Sequence, residues 1–277
     1  METQKASSVL MNHGDNMKSN NLHHLIITSF ILLLILACNA LAPGPTPTVS
    51  PVPPTATPIL LSQQVTFVPA SFSETNQSPA YMITSQTPQL AGSDDPRVQA
   101  FNQRLNDLVK KEVDTFRQGF IQNPNPPGST GSFLEVTYEL VSQIADTWSL
   151  KLNFSFYSAG AAHPGLYSIT VNYDLGQDRE LALSDLFLPN SNYLEAISNY
   201  CIAELSKQPG FEGPFQEGAQ PTPENYRNWN IASNGLMITF DEYQVAPYAS
   251  GPQTVIVPFG ELKPLIDPQG SLGKITQ

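Results

Sequence analysis

Two alternating runs constrain this chain most. Leu134, Val136, Tyr138 and Leu140, with Ile144 beyond, are set against Glu135, Thr137, Glu139 and Gln143. After Ala145-Asp146-Thr147 the pattern resumes, with Trp148, Leu150, Leu152, Phe154 and Phe156 alternating with Ser149, Lys151, Asn153 and Ser155. Successive side chains of a strand point to opposite faces, so this period buries one face of a sheet and wets the other. Two such runs with a tight connection predict an antiparallel hairpin. A helix cannot use the pattern, because its apolar stripe repeats every three or four residues.

That helical period governs residues 96–120 instead. Val98, Phe101, Leu105, Leu108, Val109, Val113, Phe116 and Phe120 trace one stripe. Ser93, Asp94 and Asp95 are N-cap candidates, and Pro96 suits the first helical position. Phe101 and Leu105 of this helix should pack on the hairpin face carrying Trp148, Leu150, Leu152 and Phe154. Upstream, residues 59–93 read as polar and turn-rich, with short strands only at Val65–Val68 and Ala80–Ser85. Downstream, strands are expected at 166–174, 180–183, 229–232, 236–240 and 254–257. A second helix is expected at 192–207, a Gly/Pro-rich loop at 208–224, and a short helix or turn at 259–266. Ser233-Asn234-Gly235 is a hairpin turn signal. Antiparallel strands with helices inserted between them predict an α+β fold: antiparallel sheets against one long and one or two shorter helices.

The first 60 residues concern location. Residues 25–37, LIITSFILLLILA, are apolar except for Thr28 and Ser29. The run is shorter than the roughly 18–20 residues a spanning helix needs, and it fits the core of a secretory signal starting at Met1 or Met17. Ile35-Leu36-Ala37-Cys38-Asn39 follows, and it resembles the lipobox of bacterial lipoproteins. That resemblance implies a lipid on Cys38 and an extracytoplasmic, membrane-anchored protein. PGPTPTVSPVPPTATP, residues 43–58, has no packing face and favours an extended, semi-rigid spacer. The expected organisation is a signal over 1–37, a lipid-anchored linker over 38–60, a small α+β subdomain over 61–125 and a second domain over 130–268.

Charge and residue census exclude several functions. Lys plus Arg total 13 against 24 Asp plus Glu, a net charge of −11 that is the wrong sign for a nucleic-acid binder. Cleavage before Cys38 removes Glu2, Lys5, Asp15 and Lys18, so the charge is unchanged. It also removes His13, His23 and His24, leaving His163 as the only histidine. One histidine does not make a zinc site, and no cofactor is expected. With Cys38 acylated, Cys201 has no disulfide partner, and its place on an apolar helical stripe points to an inert buried thiol. No Gly-x-Ser-x-Gly elbow is present. Asp174 with Asp185 is one of many carboxylate pairs an acidic chain offers to glycoside hydrolysis. Trp148 and Trp229 read as core or hairpin anchors.

Several segments resemble one family. Ala161-Ala162-His163-Pro164-Gly165, Asn172-Tyr173-Asp174-Leu175, Leu181-Ala182-Leu183-Ser184-Asp185-Leu186-Phe187 and Gly235-Leu236-Met237-Ile238-Thr239-Phe240 occur in order. The last runs into Tyr243-Gln244-Val245-Ala246-Pro247-Tyr248-Ala249 and Gly251. Together they resemble the extracellular part of RsiV-type anti-sigma factors, also found before the catalytic domain of PdaC-type peptidoglycan deacetylases. Upstream, Ser85-Gln86-Thr87-Pro88-Gln89-Leu90 and Phe101-Asn102 are similar to the small domain that precedes it. The resemblance covers about 65–266 and implies a non-catalytic recognition domain; RsiV-type members bind lysozyme directly, and that binding exposes them to proteolysis. Neither a sigma-binding segment nor a deacetylase domain is read in this chain, so signalling and deacetylation are not expected. The partner expected is a lysozyme-like cationic protein or peptidoglycan, with His163, Tyr243 and Tyr248 as candidate contacts. An envelope hydrolase acting on cell-wall glycan is the rival class.

Overall fold

The computed structural model describes residues 60–122, 131–208, 211 and 213–275. The apolar run, Cys38 and the proline-rich segment lie outside the described residues. The described part holds nine strands and four α-helices, and the α+β expectation is borne out. In chain order these are β1 (Thr66–Gln77), β2 (Ala80–Ala91), α1 (Pro96–Gln122), β3 (Ser132–Ile144), β4 (Thr147–Tyr157), β5 (Gly165–Asp174) and β6 (Arg179–Glu180). Then follow α2 (Tyr193–Leu205), β7 (Trp229–Ile231), β8 (Gly235–Phe240), β9 (Gln253–Pro258), α3 (Phe259–Leu262) and α4 (Ser271–Ile275). None of these helices is long and apolar enough to cross a membrane.

β1 to β6 form one sheet in sequence order, and β7, β8 and β9 form a second. Neighbours are antiparallel except β2 and β3, which pair in parallel because α1 connects them as a crossover. That pairing spans the expected boundary between 61–125 and 130–268, and residues on both sides of it share one core. A second core gathers residues from Leu181 to Leu272.

The first core is α1 against the sheet. Asp95 caps the helix, its Oδ1 accepting from the Arg97 backbone N–H at 2.9 Å. Phe101, Leu105, Leu150, Leu152 and Phe154 are wholly buried and Trp148 is nearly so, in the grouping the two periods predict. Three details depart from expectation. Residues 66–91 form two twelve-residue strands rather than short pieces, and β1 is an edge strand, largely exposed and carrying Pro69 within its run. Edge strands need no apolar alternation and tolerate proline, so the pattern was silent there. The second departure is a bulge between Leu140 and Ser142, which turns the end of β3 over. Ile144, beyond the bulge, therefore packs against the second core instead of sharing a face with Leu134, while Leu140, still paired with Leu150, is exposed. The expected strand at 180–183 shrinks to Arg179–Glu180 and is followed by a 3-10 turn at Leu183–Leu186.

The second core holds α2 and the β7–β9 sheet around Ile197, Cys201, Leu205, Ile231, Ile238 and Phe240. Burial pushes the Cys201 thiol up to about 12, with a smaller contribution from Glu204, which suits an inert packing residue. The two sheets meet through side chains that bond backbone. Ser149 donates to Asn172 Oδ1 at 2.6 Å, Asn172 Nδ2 donates to the Trp229 carbonyl at 2.8 Å, and the Ile231 N–H donates to Ser149 Oγ at 3.0 Å. Asn230 Nδ2 donates to Ser149 Oγ and to the Leu150 carbonyl, each at 2.9 Å. Ser149, Asn172 and Asn230 are buried, so these bonds form without competition from water.

Candidate recognition site

β5 is nearly an edge strand, because β6 pairs only with Tyr173 and Asp174. Further up, two outward N–H groups of β5 are met by side chains of the loop that follows β8. Asp241 Oδ1 accepts from Ser168 N–H and Glu242 Oε2 from Leu166 N–H, both at 3.0 Å. Asp241 is itself held by Arg227 at 2.6 Å and by Asn228 Nδ2 at 3.1 Å. These bonds fix the loop's approach to the turn between β4 and β5, where His163 lies.

Tyr243, the next residue, adopts φ = 66°, the left-handed region, which costs a non-glycine residue on the order of 1 kcal/mol. Anchors on the two preceding residues hold it there. The consequence is a surface cluster of the three predicted residues. The His163 ring stacks on Tyr248, with centroids 3.8 Å apart and planes at 25°. Tyr243 and Tyr248 stack at 5.7 Å. The Tyr248 hydroxyl donates to the Pro164 carbonyl at 3.0 Å, and His163 Nδ1 lies 2.8 Å from the same oxygen. A carbonyl only accepts, so Nδ1 carries the hydrogen, and in the neutral ring Nε2 accepts from the Tyr243 hydroxyl at 3.2 Å. His163 is exposed, Tyr243 is 55% exposed and Tyr248 is half-buried, so aromatic area faces solvent while the polar tips bond within the cluster.

Below the cluster, Gly165 has a steric role: a Cβ there would lie 2.5 Å from the Phe156 ring, its partner across β4 and β5. Phe156 thus lies over bare backbone and forms, with Arg227, Asp241 and the two loops, a recess of about 440 Å³. The positioning carboxylates Asp241 and Glu242 and their partner Arg227 were not picked out as site residues from the sequence. The signal was an Asp-Glu pair between the strand end Phe240 and Tyr243.

Other residues considered have structural duties. Asp174 is buried and accepts from the Gln177 N–H at 2.9 Å, while Asp185 pairs with Arg179 at 2.6 Å and accepts from the Ala182 N–H at 3.0 Å. Trp148 and Trp229 are buried. The His163 ring nitrogens bond only Pro164 and Tyr243 among the described residues, and no three His, Cys, Asp or Glu side chains gather there as a metal-ligand set.

The fold, and part of the sequence, recur in other proteins. Residues 184–260 match the family described as "Protein of unknown function (DUF3298)". That segment contains Tyr243 and Tyr248 but not His163. Over 168 residues the chain is 27% identical to the peptidoglycan-N-acetylmuramic acid deacetylase PdaC of Bacillus subtilis, covering 60% of this chain and 36% of PdaC. It is 26% identical to the anti-sigma-V factor RsiV of the same species over 193 residues, covering 66% of this chain and 65% of RsiV. The immunogenic protein MPT64 of Mycobacterium tuberculosis is 26% identical over 103 residues, 37% of this chain and 45% of MPT64. The chain therefore spans less than half of PdaC and of MPT64. A DUF3298 protein from Bacteroides fragilis shares the fold at TM-score 0.58 and 17% identity, over 76% of this chain and 97% of that one. One from Pseudomonas aeruginosa does so at TM-score 0.53 and 14% identity, over 74% and 95%. Sequence and fold together bear out the resemblance to the RsiV and PdaC domain.

Proposed function

We propose that this protein is a cell-envelope lipoprotein, anchored through Cys38, whose α+β domain is a non-catalytic recognition module for a lysozyme-like cationic protein. The observation that carries the reading is the exposed His163–Tyr243–Tyr248 cluster, set by fixed carboxylates on a chain of net charge −11. Aromatic side chains with polar tips serve interfaces well, since they bury apolar area and still satisfy a hydrogen bond. The negative field draws a cationic partner over about 8 Å at physiological ionic strength. The relatives RsiV and PdaC support an extracytoplasmic location for a domain of this kind. Hydrolysis of cell-wall glycan fits less well, because it needs two carboxylates facing one cleft, whereas Asp174 accepts from the Gln177 N–H and Asp185 is held by Arg179 and the Ala182 N–H.

The test is binding of hen lysozyme to the purified chain at rising salt. Binding should weaken with salt, and Tyr248→Ala should weaken it further while the far-UV spectrum stays unchanged. Absence of binding at low salt rejects the lysozyme reading. Equal binding of an unrelated protein of similar positive charge rejects recognition in favour of charge alone.

A further inference from the structure

Phe156 and Tyr167 also line a second recess, of about 400 Å³, between the C-terminal half of α1 and the ends of β3, β4 and β5. Its walls are Phe116, Phe120, Phe156 and Tyr167, with Gly119 and Glu112 on the helix side. The rings are fixed before any ligand arrives. Phe116 meets Phe120 edge-on at 5.0 Å, Tyr81 stacks on Phe120 at 5.3 Å, and Tyr167 stacks on Phe154 at 5.0 Å. Two further features call for an explanation. Gly119 lies in the last turn of α1 and carries no side chain to cover the recess. A Cβ there would meet nothing within 4 Å, so crowding does not require the glycine. The second feature is Glu112. Its Oε2 accepts from the Tyr167 hydroxyl at 2.8 Å, and it forms no ion pair with any described lysine or arginine. Burial, and then the bond to Glu112, push the Tyr167 phenol up, so it remains the donor that orients the carboxylate.

An apolar recess walled by four aromatic rings, with one oriented carboxylate that pairs with no described lysine or arginine, is complementary to an alkyl cation. Ring faces attract cations, a carboxylate supplies the full countercharge, and an aliphatic stem fills the apolar remainder. Net charge leans the same way. We propose that this recess takes one lysine or arginine side chain of a cationic protein partner, with its stem against Phe116, Phe120 and Phe156 and its charged head at Glu112. This deepens the recognition reading and rests on it for the partner being a protein; the preference for an alkyl cation stands on the recess itself.

The test uses the full chain in lipid nanodiscs and two probes of one shape, n-butylguanidinium and neutral n-butylurea, titrated by saturation-transfer NMR. The cation should bind at least tenfold more tightly than the urea. Glu112→Gln, whose amide oxygen can still accept from Tyr167, should weaken the cation about tenfold and leave the urea unchanged. Gly119→Leu should block both probes. Equal binding of the two probes, or cation binding unaffected by Glu112→Gln, overturns the proposal. Cation binding that survives Tyr248→Ala, in a chain that fails to bind lysozyme, supports the recess and rejects only the lysozyme reading. Lysozyme binding that is lost in Tyr248→Ala but unchanged in Glu112→Gln overturns the recess and leaves the loop reading intact.

Discussion

Asn172→Asp tests how the two sheets are held together. Asn172 is 2% exposed, and its two side-chain ends do different jobs: Oδ1 accepts from Ser149, and Nδ2 donates to the Trp229 carbonyl. Aspartate keeps the shape and the acceptor but sets a second oxygen against that carbonyl. When ionised it also places an unpaired charge among buried groups. Leaving one buried carbonyl unpaired costs about 1–3 kcal/mol, and an uncompensated buried charge brings the loss to about 3–5 kcal/mol. Desolvation and the facing carbonyl both disfavour the charged form, so the new carboxyl has its pKa raised in the folded state. Its folded form then binds more protons than its unfolded form, and stability falls as pH rises from the unfolded value near 3.9 through the folded value. Below that window the protonated acid can donate to the Trp229 carbonyl and restore the lost bond. Urea unfolding followed by tryptophan fluorescence at pH 4.5 and 7.5 reads this directly. With a slope of roughly 2–3 kcal/mol per M urea, the midpoint at pH 7.5 should drop by about 1–2 M and recover substantially at pH 4.5. A loss below about 1 kcal/mol, equal at both pH values, would refute the view that this network joins the sheets without water.

Phe154→Ala should destabilise the domain by about 3–5 kcal/mol, since Phe154 is wholly buried and stacked on Tyr167; a calorimetric loss under 1 kcal/mol would contradict the packing described for α1 and β4. Asp95, held down to about 2 mainly by the Arg97 guanidinium and then by the Arg97 backbone N–H, should titrate well below the usual aspartate range. Its stabilising contribution is therefore present above about pH 4 and is lost as pH falls toward 2. Arg97→Ala should move the Asp95 carboxyl-carbon titration upward, and an unmoved curve would assign the effect elsewhere. Cys38→Ala, expressed in a lipoprotein-processing bacterium, should leave the detergent phase or accumulate as precursor, whereas unchanged size and partitioning would remove the lipid anchor.

Periodicity by itself determined one apolar face of α1 and of β4, though not the burial of Ser149 on the other face of β4 or the exposure of Phe156. The α1 stripe and the β4 alternation name their own buried faces, because each face repeats at a distance set by backbone geometry and meets water or core accordingly. Charge excluded nucleic acid, and the family resemblance carried by the His163 and Tyr243–Tyr248 segments pointed to both loops of the candidate site. What needed the tertiary structure was everything set by pairing between distant segments. β1 is long because β2 offers it backbone partners, not because its own side chains are apolar, so its sequence carries no period. The bulge near Leu140 turns Ile144 toward a second sheet that the local pattern cannot know about. Eighty residues separate His163 from Tyr243. The carboxylates of Asp241 and Glu242, satisfying an edge strand that β6 leaves uncovered, and the Tyr248 bond to Pro164 bring those two rings together. Hydrogen-bond demand at a strand edge depends on which neighbour is missing, and that is a property of the assembled sheet rather than of any stretch of sequence.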